Sequence, residues 1–478
     1  MTYFTAPIYY VNDAPHVGHA YSTVIADALA RWERLRGRPG RPARLVTGTD
    51  EHGQKVARAA AARGVPPQAL ADETAPRFVA AWDRIGIGYD DFVRTTSARH
   101  RATATALLSA VHEAGYVRPG RYDGRYCVGC EAYVATEVCA VHGTPTEVVS
   151  EDNWFFRLSA FAEPLEKWLD GDVVRPVARR NEALGWLRRG LEDFSISRAS
   201  LTWGVPLPWD PSQVAYVWFD ALAAYLTGGY RSPAHHVIGK DILRFHAIWW
   251  PAILLAAGLP LPERITVHGF LLQRGGKIAK STGGFVPLDL LIDRFGADGL
   301  RYGLLRGNPI GPDGEFTVDG LAARYNADLA NTLGNLVSRL VALVSARCGG
   351  VAPGPSSSPA LASVAAAVVD EAGAAWDDAR PSDALAATWR LVAATNAHLV
   401  AAAPWSQPPG STAAVDALGD ALEALRIAAL LASPAIPSAA AEIARRIGAV
   451  SLDLAWGSSP ADARVTAGPP LFPRQRPA

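Results

Sequence analysis

The first fifty residues alternate between strand-like and helix-like segments, and this alternation limits the possible folds more than any other feature. Residues 3–10 are rich in aromatic side chains and predict a strand. Apolar residues then recur at helical spacing until Gly37, and residues 44–47 predict a second short strand. Because a strand, a helix and a strand in this order form a βαβ unit, we expect an α/β fold. Specifically, we expect a Rossmann-type, doubly wound parallel sheet with ligands at the carboxyl ends of its strands.

This pattern is interrupted once and then replaced by another. It stops near Tyr116, resumes after Pro208 with strand-like segments at 214–218, 236–238 and 265–267, and becomes helical and alanine-rich after about Tyr325. An insertion that splits one α/β domain explains the interruption. The predicted divisions are 1–115 and 209–275 for the two halves of the α/β domain, 116–208 for the insertion, 276–325 for a loop and connecting region, 326–466 for an α-helical bundle, and 467–478 for a proline-rich tail.

The charge balance excludes some kinds of binding. The 478 residues include 46 basic and 46 acidic side chains, so the net charge is zero and bulk attraction to a nucleic acid is excluded. Any contact with RNA must be local. Only five of the basic residues are lysines. Because an ammonium group can approach a single phosphate oxygen in a way that a planar guanidinium cannot, these five positions are candidate functional sites. Since no signal peptide opens the chain and no continuous apolar run is long enough to span a membrane, we expect a cytoplasmic protein without a membrane partner.

A cysteine cluster lies within the predicted insertion. Cys127, Cys130, Cys139 and His142 have the paired spacing of a tetrahedral Zn²⁺ site. Four protein ligands leave no open coordination position, so the predicted zinc is structural. Free thiols or one disulfide pair are the alternatives.

Two short motifs suggest a site for nucleotide phosphates. His16-Val17-Gly18-His19 follows the first strand at the start of the first helix, where exposed backbone amides attract anions. The alternative is a capped helix with a packing histidine. Lys277-Ile278-Ala279-Lys280-Ser281 lies between two pairs of glycines and predicts a loop, for which a solvated charged loop is the alternative. No Walker motif occurs, which excludes a P-loop NTPase.

These two motifs, in this order, resemble the signatures of class I aminoacyl-tRNA synthetases, and further segments resemble the methionyl-tRNA synthetase family. The similar segments are residues 6–12, 48–53, 216–222, 238–242 and 268–270, and the similarity runs from about Thr2 to about Trp405. The resemblance implies a ligase that activates L-methionine with ATP and Mg²⁺ and transfers it to tRNA(Met). It also implies that the 276–325 region contacts the RNA stem and that the helical bundle reads the anticodon.

The resemblance also implies which residues bind methionine. Asp50 and the carbonyl of Ile8 would hold the ammonium group, and Tyr10 and His246 would contact the thioether. The remaining implied pocket residues are Trp218, Ala221, Tyr225, Ile242 and Trp250. From the residues alone, core packing is the favoured role for Trp218 and Tyr225, and both roles can hold together.

The same resemblance implies an ATP site and an anticodon site. ATP would contact His16, Gly18 and His19, with Asp241 on the ribose and Leu271 near the adenine. His16, His19, Lys277 and Lys280 would be the catalytic groups, with Lys280 stabilising the charge on the departing pyrophosphate. The implied anticodon residues are Asn335, Arg339 and Trp405, although Trp405 beside a proline could instead cap the core.

The sequence departs from the family pattern at the second motif, where Ile278 and Ala279 replace the usual Met and Ser. Both lysines remain, so the loop keeps its charge. We expect a monomer, because the chain ends without the dimerisation domain that some relatives carry. Two other functions stay open at this stage: a paralogue that serves a biosynthetic pathway or inhibitor resistance, and a non-catalytic RNA-binding homologue.

Overall fold

The computed structural model describes residues 2–37, 42–140, 143–273, 276–277, 286–356, 359–459 and 461–476. They form two compact units. The described residues within Met1–Ala26, Pro39–Asp83 and Ile87–Gly269 form the first, and those within Asp27–Arg38, Arg84–Gly86 and Phe270–Ala478 form the second.

A six-stranded sheet, parallel throughout, forms the centre of the first unit. Its strands, in chain order, are β1 (Thr2–Tyr10), β2 (Ala43–Asp50), β3 (Asp91–Arg94), β4 (Val174–Arg175), β5 (Ala234–Gly239) and β6 (Arg264–His268). Their order across the sheet is β3-β2-β1-β5-β6-β4. The strand order therefore reverses direction between β1 and β5, and ligands bind at such a switch point in open α/β sheets. The predicted fold class is confirmed.

The strand register brings distant residues to one edge of this sheet. Tyr10 pairs with Asp50 where β1 and β2 end, and Gly239 pairs with His268 where β5 and β6 end. Gly48 allows the close approach of β2 and β3, because a Cβ at this position would lie 2.0 Å from the carbonyl oxygen of Val93. The carboxyl ends of β1, β2, β5 and β6 thus form one continuous edge.

Helices surround the sheet, and the first of them, Val17–Arg36, connects β1 to β2 as predicted. The other α-helices that lie wholly or largely in this unit are Gln54–Ala62, Pro67–Ile85, Ala98–Glu113, Ala162–Leu169, Val177–Arg188, Val217–Thr227 and Trp250–Ala256. Short 3-10 turns occupy Leu158–Phe161 and Lys240–Ile242, and Phe245–Trp249 is a π-helix.

The interrupting segment contains an antiparallel sheet. Its strands are Val117–Cys127, Ala132–Val134, Glu147–Phe156 and Phe194–Ser195, and the longest pairing runs from Val117 opposite Phe156 to Tyr126 opposite Glu147. The same segment also contributes β4, which pairs in parallel with β6 at the edge of the large sheet. This strand has only two residues, and no sequence pattern predicts it.

The strand predicted at 214–218 is wrong beyond Ala215. Val214–Ala215 pairs with Ser197–Arg198 outside the parallel sheet, and the Val217–Thr227 helix follows. A continuous apolar run does not distinguish a buried strand from a buried helix, and here the helix forms.

The second unit is mainly helical. Its helices include Leu288–Gly307, Val318–Arg324, the π-helix Tyr325–Gly334, Asn335–Cys348, Pro359–Asp377, Pro381–Ala402, Thr412–Ala432 and Pro437–Ile447, with a 3-10 turn at Pro404–Ser406. Leu271–Gln273, Gly276–Lys277 and Gly314–Glu315 form a small sheet. The tail packs on this unit through Phe472, which is buried, and through Gln475, which exchanges hydrogen bonds with Asn326.

One helical run in this unit, Val318–Cys348, has the length and apolar composition of a membrane span, but half of its most apolar window is buried inside the protein. A buried core helix meets the same criteria of length and composition. This run therefore gives only weak support for a membrane location.

A buried arginine ties the helical unit together. The Arg301 guanidinium is fully buried, lies 2.6 Å from the Asp27 carboxylate, and donates to the carbonyls of Pro434 and Ala435. Asp27 is also fully buried and accepts a hydrogen bond from Arg31. Since a buried charge without its partner is costly, the pair is expected to matter more than an exposed one.

Replacing Asp27 with alanine tests this difference. We expect D27A to lower the free energy of unfolding by about 3–5 kcal/mol, because it removes the carboxylate that lies 2.6 Å from the buried Arg301 guanidinium. E371A removes the exposed partner of Arg390 and is expected to cost less than about 1 kcal/mol. Urea titrations followed by tryptophan fluorescence measure both, and equal losses would contradict this account.

Candidate active site

Two buried oxygen atoms at the carboxyl edge of the sheet have no protein partner. Asp50 is 3% exposed, and its Oδ1 has no hydrogen-bond partner among the described residues. The same holds, within those residues, for the hydroxyl of Tyr10, which β1 places beside Asp50. Because buried polar atoms without partners are costly, such atoms mark a place where a ligand supplies the missing contact.

The surroundings of Asp50 favour a cationic ligand. Burial raises the pKa of the Asp50 carboxyl well above its usual value, and the nearby carboxylates of Asp220 and Glu131 raise it further. A positively charged group beside Oδ1 would lower the energy of the ionised carboxylate. The ammonium group of an amino acid has the required charge and hydrogen-bond donors.

An aromatic pocket lies next to this carboxylate. The Val217–Thr227 helix carries Trp218, whose ring stacks on Phe245 with the ring centroids 3.7 Å apart and packs edge-on against Tyr10. Ala221 and Tyr225 follow at helical spacing and are buried. The expected pocket residues Tyr10 and Trp218 are therefore in contact, and Tyr10 lies beside Asp50 in the sheet.

Hydrogen bonds fix the back of this pocket. The Nδ1–H of His246 donates to the carbonyl of Ile242 at 2.9 Å, which leaves Nε2 to accept from the hydroxyl of Tyr225 at 2.7 Å. Burial lowers the pKa of His246 to about 4, so the imidazole is neutral at physiological pH. Trp250 is fully buried and donates from its indole nitrogen to His236 at 3.2 Å. His246 lies in the π-helix Phe245–Trp249, a type of distortion that is frequent at functional sites.

The His16–His19 motif forms a compact unit at the start of the first helix. The two imidazole rings stack with their centroids 3.6 Å apart, and Nδ1 of His16 accepts from the backbone amide of Gly18 at 3.1 Å. In a neutral ring this places the proton on Nε2. A Cβ on Gly18 would lie 3.0 Å from the His16 ring, so a larger residue would force the ring to shift. Together the imidazoles and the helix N-terminus offer donors to an anion.

The other predicted nucleotide residues are only partly described. Asp241 is exposed in the turn that follows β5. Leu271 is buried in a strand of the second unit, and only the backbone of Lys277 is described, opposite Leu272. Lys280 and the rest of the loop from Ile278 lie outside the described residues.

The predicted zinc ligands come together as far as they are described. The Sγ atoms of Cys127, Cys130 and Cys139 all lie within 4.8 Å of one another, and those of Cys130 and Cys139 are 3.5 Å apart. His142 lies outside the described residues. Sulfur ligands about 2.3 Å from a tetrahedral zinc are about 3.8 Å apart, so the three thiols fit that ion.

The predicted anticodon residues lie in the helical unit. Asn335 is exposed at the start of the Asn335–Cys348 helix, and Arg339, one turn later, donates to Asn396 at 2.6 Å. The Trp405 side chain is 41% exposed and does not cap the core. Arg347 donates to the carbonyls of Trp405 and Gln407 and so attaches this turn to the same helix.

Sequence reasoning missed a buried charged cluster beneath Asp50. Asp220 is buried and accepts hydrogen bonds from His52 at 2.7 Å and from His100 at 2.8 Å. These contacts hold the turn after β2 against two helices, and the two histidines lower the pKa of Asp220 although its burial opposes this. The position of His52, two residues after Asp50, is the feature of the sequence that could have indicated this cluster.

A second missed cluster lies near the predicted zinc site. Arg198 is buried, pairs with Glu151 and stacks over the ring of Tyr126, whose hydroxyl donates to Glu131. Glu131 is buried as well and accepts from the backbone amide of Lys55. Its positive φ of 49° is rare for a residue with a side chain.

Comparison with known proteins gives one consistent result. A family model described as "tRNA synthetases class I (M)" matches residues 2–138, 133–232 and 229–341. A methionine–tRNA ligase of Streptomyces coelicolor is 39% identical, over 99% of this chain and 96% of its own length. One from a Nostoc species is 41% identical, over 93% of this chain and 89% of its own length.

Solved structures agree with these matches. Mycobacterium tuberculosis methionyl-tRNA synthetase in complex with methionyl-adenylate has a TM-score of 0.93 and 37% identity and covers 99% of both chains. The apo form of that enzyme has a TM-score of 0.85 and 34% identity, over 100% of this chain and 98% of the other. With a family model that matches well over half of its residues and relatives that align over nearly all of them, this chain belongs to the methionyl-tRNA synthetase family of class I tRNA synthetases.

Proposed function

We propose that the aromatic pocket at the carboxyl edge of the parallel sheet is where this methionine–tRNA ligase binds and activates L-methionine. The observation that carries the proposal is the buried Oδ1 of Asp50, which has no partner among the described residues and lies beside an apolar pocket. An amino acid with an uncharged side chain can occupy both parts of this site, the Asp50 carboxylate and the aromatic pocket beside it. Its ammonium group pairs with Asp50 and the carbonyl of Ile8, and its side chain enters the pocket.

Pocket shape and one hydroxyl then select methionine. Trp218, Tyr225 and Trp250 provide aromatic surfaces, against which a thioether makes favourable contacts. The Tyr10 hydroxyl, which has no hydrogen-bond partner in the described chain, is available to the sulfur. His246, neutral and held by Ile242 and Tyr225, keeps the pocket wall in place without adding charge. Ala221 and Ile242 complete the space.

The first chemical step joins methionine to AMP. A methionine carboxylate oxygen attacks the α-phosphorus of ATP, the bond from that phosphorus to the bridging oxygen breaks, and pyrophosphate leaves with the electron pair. His16 and His19 bind the phosphates where Gly18 lets ATP approach the start of the helix, Asp241 contacts the ribose, and Leu271 contacts the adenine. Lys277 and Lys280 stabilise the leaving charge, and Mg²⁺ bound with ATP supplies further charge neutralisation.

In the second step the terminal ribose of tRNA(Met) attacks the methionyl carbonyl, and AMP leaves. Positioning and charge stabilisation drive this step, and no side chain is assigned as a general base. The helical unit selects the RNA through Asn335, Arg339 and the exposed ring of Trp405, which suits stacking on an unpaired base. The 276–325 region contacts the RNA stem.

The cysteine cluster has a structural role in this proposal. Cys127, Cys130, Cys139 and His142 would hold Zn²⁺, and the ion would crosslink the chain near Cys127, where the long strand of the insertion ends. The enzyme acts as a monomer in the cytoplasm.

Two linked assays test the function. Methionine-dependent exchange of pyrophosphate into ATP reports the first step, and charging of initiator and elongator tRNA(Met) reports the second. We expect both activities. Exchange without charging would instead indicate a paralogue that serves another pathway, and the absence of exchange would contradict activation of methionine by this pocket.

A substitution at Asp50 tests the ammonium contact. We expect D50N to reduce methionine-dependent exchange about ten- to a hundredfold at subsaturating methionine, because a hydrogen bond to a charged group contributes about 1.5–3 kcal/mol. D123N, at an exposed carboxylate on the insertion hairpin, is the matched control and should exchange like the wild type. If D50N exchanged as fast as D123N, the ammonium would bind elsewhere.

The neutral state of His246 gives a pH-dependent prediction. Its pKa of about 4 in the folded protein lies below its ordinary value of 6.5, so between these two pH values the unfolded chain binds a proton that the folded chain does not. The contribution of His246 to stability is therefore complete above pH 6.5 and decreases as the pH falls towards 4.

As the pH falls between these two values, the urea midpoint of the wild type should decrease. We expect a smaller decrease in H246Q. Some slope should remain, because burial also lowers the pKa of His235. Y225F removes the hydrogen bond between the Tyr225 hydroxyl and His246 but keeps the imidazole. The pH dependence of its urea midpoint should therefore match that of the wild type. An unchanged slope in H246Q would mean that His246 is already protonated in the folded protein.

A further inference from the structure

Lys55 lies beside the methionine pocket, although it belongs to none of the segments that resemble the family. It is one of only five lysines in the chain. It is the second residue of the Gln54–Ala62 helix, which begins four residues after Asp50, where β2 ends. Lys55 is thus placed near the carboxyl edge of the sheet, where Tyr10 pairs with Asp50.

The ammonium group of Lys55 lies over the ring of Tyr10. Its Nζ atom is 4.7 Å from the ring centroid. A cation within about 6 Å of an aromatic face is attracted by the negative potential of that face. The edge of the same pair of rings, Tyr10 and Trp218, forms the contact at the pocket. Lys55 therefore contacts a pocket residue directly, at the ring whose buried hydroxyl has no hydrogen-bond partner among the described residues.

Contacts with the insertion hold Lys55 in this position. Its backbone amide donates to the carboxylate of Glu131, and its Nζ donates to the carbonyl of Gly129 at 3.4 Å. Glu131 also accepts from the hydroxyl of Tyr126, which is fully buried. The lysine is therefore held at both its backbone and its charged end, so little further conformational entropy is lost when a ligand binds beside it.

Opposing charges act on the Tyr10 hydroxyl. Burial raises its pKa well above the usual value, and the carboxyl groups of Asp50 and Glu131 raise it further. The hydroxyl therefore stays protonated and can donate. The same carboxylates make it a weaker donor, because they oppose negative charge on its oxygen. The positive charge of Lys55 acts in the opposite direction and strengthens the donor.

The strength of this donor matters for methionine in particular. A thioether sulfur is a weak hydrogen-bond acceptor, so it gains from a buried hydroxyl only if that hydroxyl donates well. Norleucine has a methylene group in place of the sulfur and accepts no hydrogen bond. Since an apolar pocket separates side chains of nearly equal size poorly, discrimination between the two amino acids has to come from contacts with the sulfur itself.

We propose that Lys55 is a positioning residue that determines amino-acid specificity: its ammonium group holds the ring of Tyr10 and strengthens the Tyr10 hydroxyl as a donor to the methionine sulfur. The inference rests on the proposed function, since it assumes that methionine binds with its side chain at Tyr10. In this role Lys55 acts through Tyr10 and touches no reacting atom. Its loss therefore changes which amino acid is preferred more than how fast a bound amino acid reacts.

K55M tests the charge while it keeps an apolar side chain of similar length. Pyrophosphate exchange is measured with methionine and with norleucine, and the ratio of the two kcat/KM values is the selectivity. We expect the selectivity of K55M to be about three- to tenfold lower, mainly through a higher KM for methionine, because cation–π energies correspond to factors of this size. The selectivity does not depend on the folded fraction of a preparation. An unchanged selectivity would overturn the proposal.

Two further variants separate the charge from the fold. K55R keeps a cation over the ring and should retain most of the wild-type selectivity. R58Q is the matched control, because it removes an exposed cation from the same helix, where Arg58 pairs with Glu147. Its selectivity should equal that of the wild type. The proposal would be wrong if K55R lost as much selectivity as K55M, or if R58Q did.

Y10F shows whether Lys55 acts through the hydroxyl. We expect Y10F to lower the selectivity by itself, and the double variant K55M/Y10F to be no less selective than Y10F, because the group on which Lys55 acts is already absent. Two losses that multiplied in the double variant would show that Lys55 acts independently of the hydroxyl, which would contradict the proposal.

Equilibrium binding gives a readout without catalysis. In calorimetric titrations of the full chain without ATP, K55M should bind methionine about three- to tenfold more weakly than the wild type and norleucine equally well. Equal weakening for both would mean that Lys55 contacts a group that they share, such as the carboxylate, and would overturn the proposal. If the wild type showed no methionine-dependent exchange, the proposed function itself would fail, so the two failures are distinguishable.

Discussion

The parallel register of three strands positions nearly everything at the reacting end of the first unit. Because β1 pairs with β2 in the register that sets Tyr10 beside Asp50, the Tyr10 hydroxyl and Asp50 Oδ1 lie at one edge, and neither has a hydrogen-bond partner among the described residues. Because β1 also pairs with β5, the turn that carries Asp241 and leads to His246 emerges at the same edge. Backbone hydrogen bonds therefore bring together residues that are 40 to 230 positions apart in the chain, and side chains then add the chemistry.

A second constraint is the pairing of buried charged side chains near this edge of the sheet. His52 and His100 donate hydrogen bonds to the buried Asp220, and Glu151 forms a salt bridge with the buried Arg198. Asp50 has no such compensation among the described residues, and burial and neighbouring carboxylates raise its pKa. Within the described part of this edge, Asp50 therefore differs from Asp220 and Arg198 in that no oppositely charged side chain contacts it, and such a carboxylate is a candidate for binding a cation.

The sequence was sufficient for the fold class, because helical spacing, strand composition and family motifs are local signals. The same signals named Tyr10, Asp50 and Trp218, which the structure places near one another, and their role in binding methionine stays a prediction. The sequence was not sufficient for β3 and β4, since strands of four and two residues carry almost no periodicity. It also predicted a strand through Trp218 where a helix begins at Val217, because an apolar run has no distinctive period. The contacts of Asp220 with His52 and His100 join residues that are 168 and 120 positions apart, and such pairings are decided by tertiary packing alone.

The short strand β4 has a consequence for how the segment with the cysteine cluster is attached to the enzyme. The chain leaves the parallel sheet after β3 and returns to it at β5. Between these two strands, the segment contributes the edge strand Val174–Arg175 to the same sheet. A module joined only by linkers could be removed or exchanged without harm to its host. Removing this one would uncover the backbone amides and carbonyls of β6 and leave an open strand edge prone to pairing with other chains. The insertion is thus a structural part of the domain that it interrupts, and the two must fold as one body.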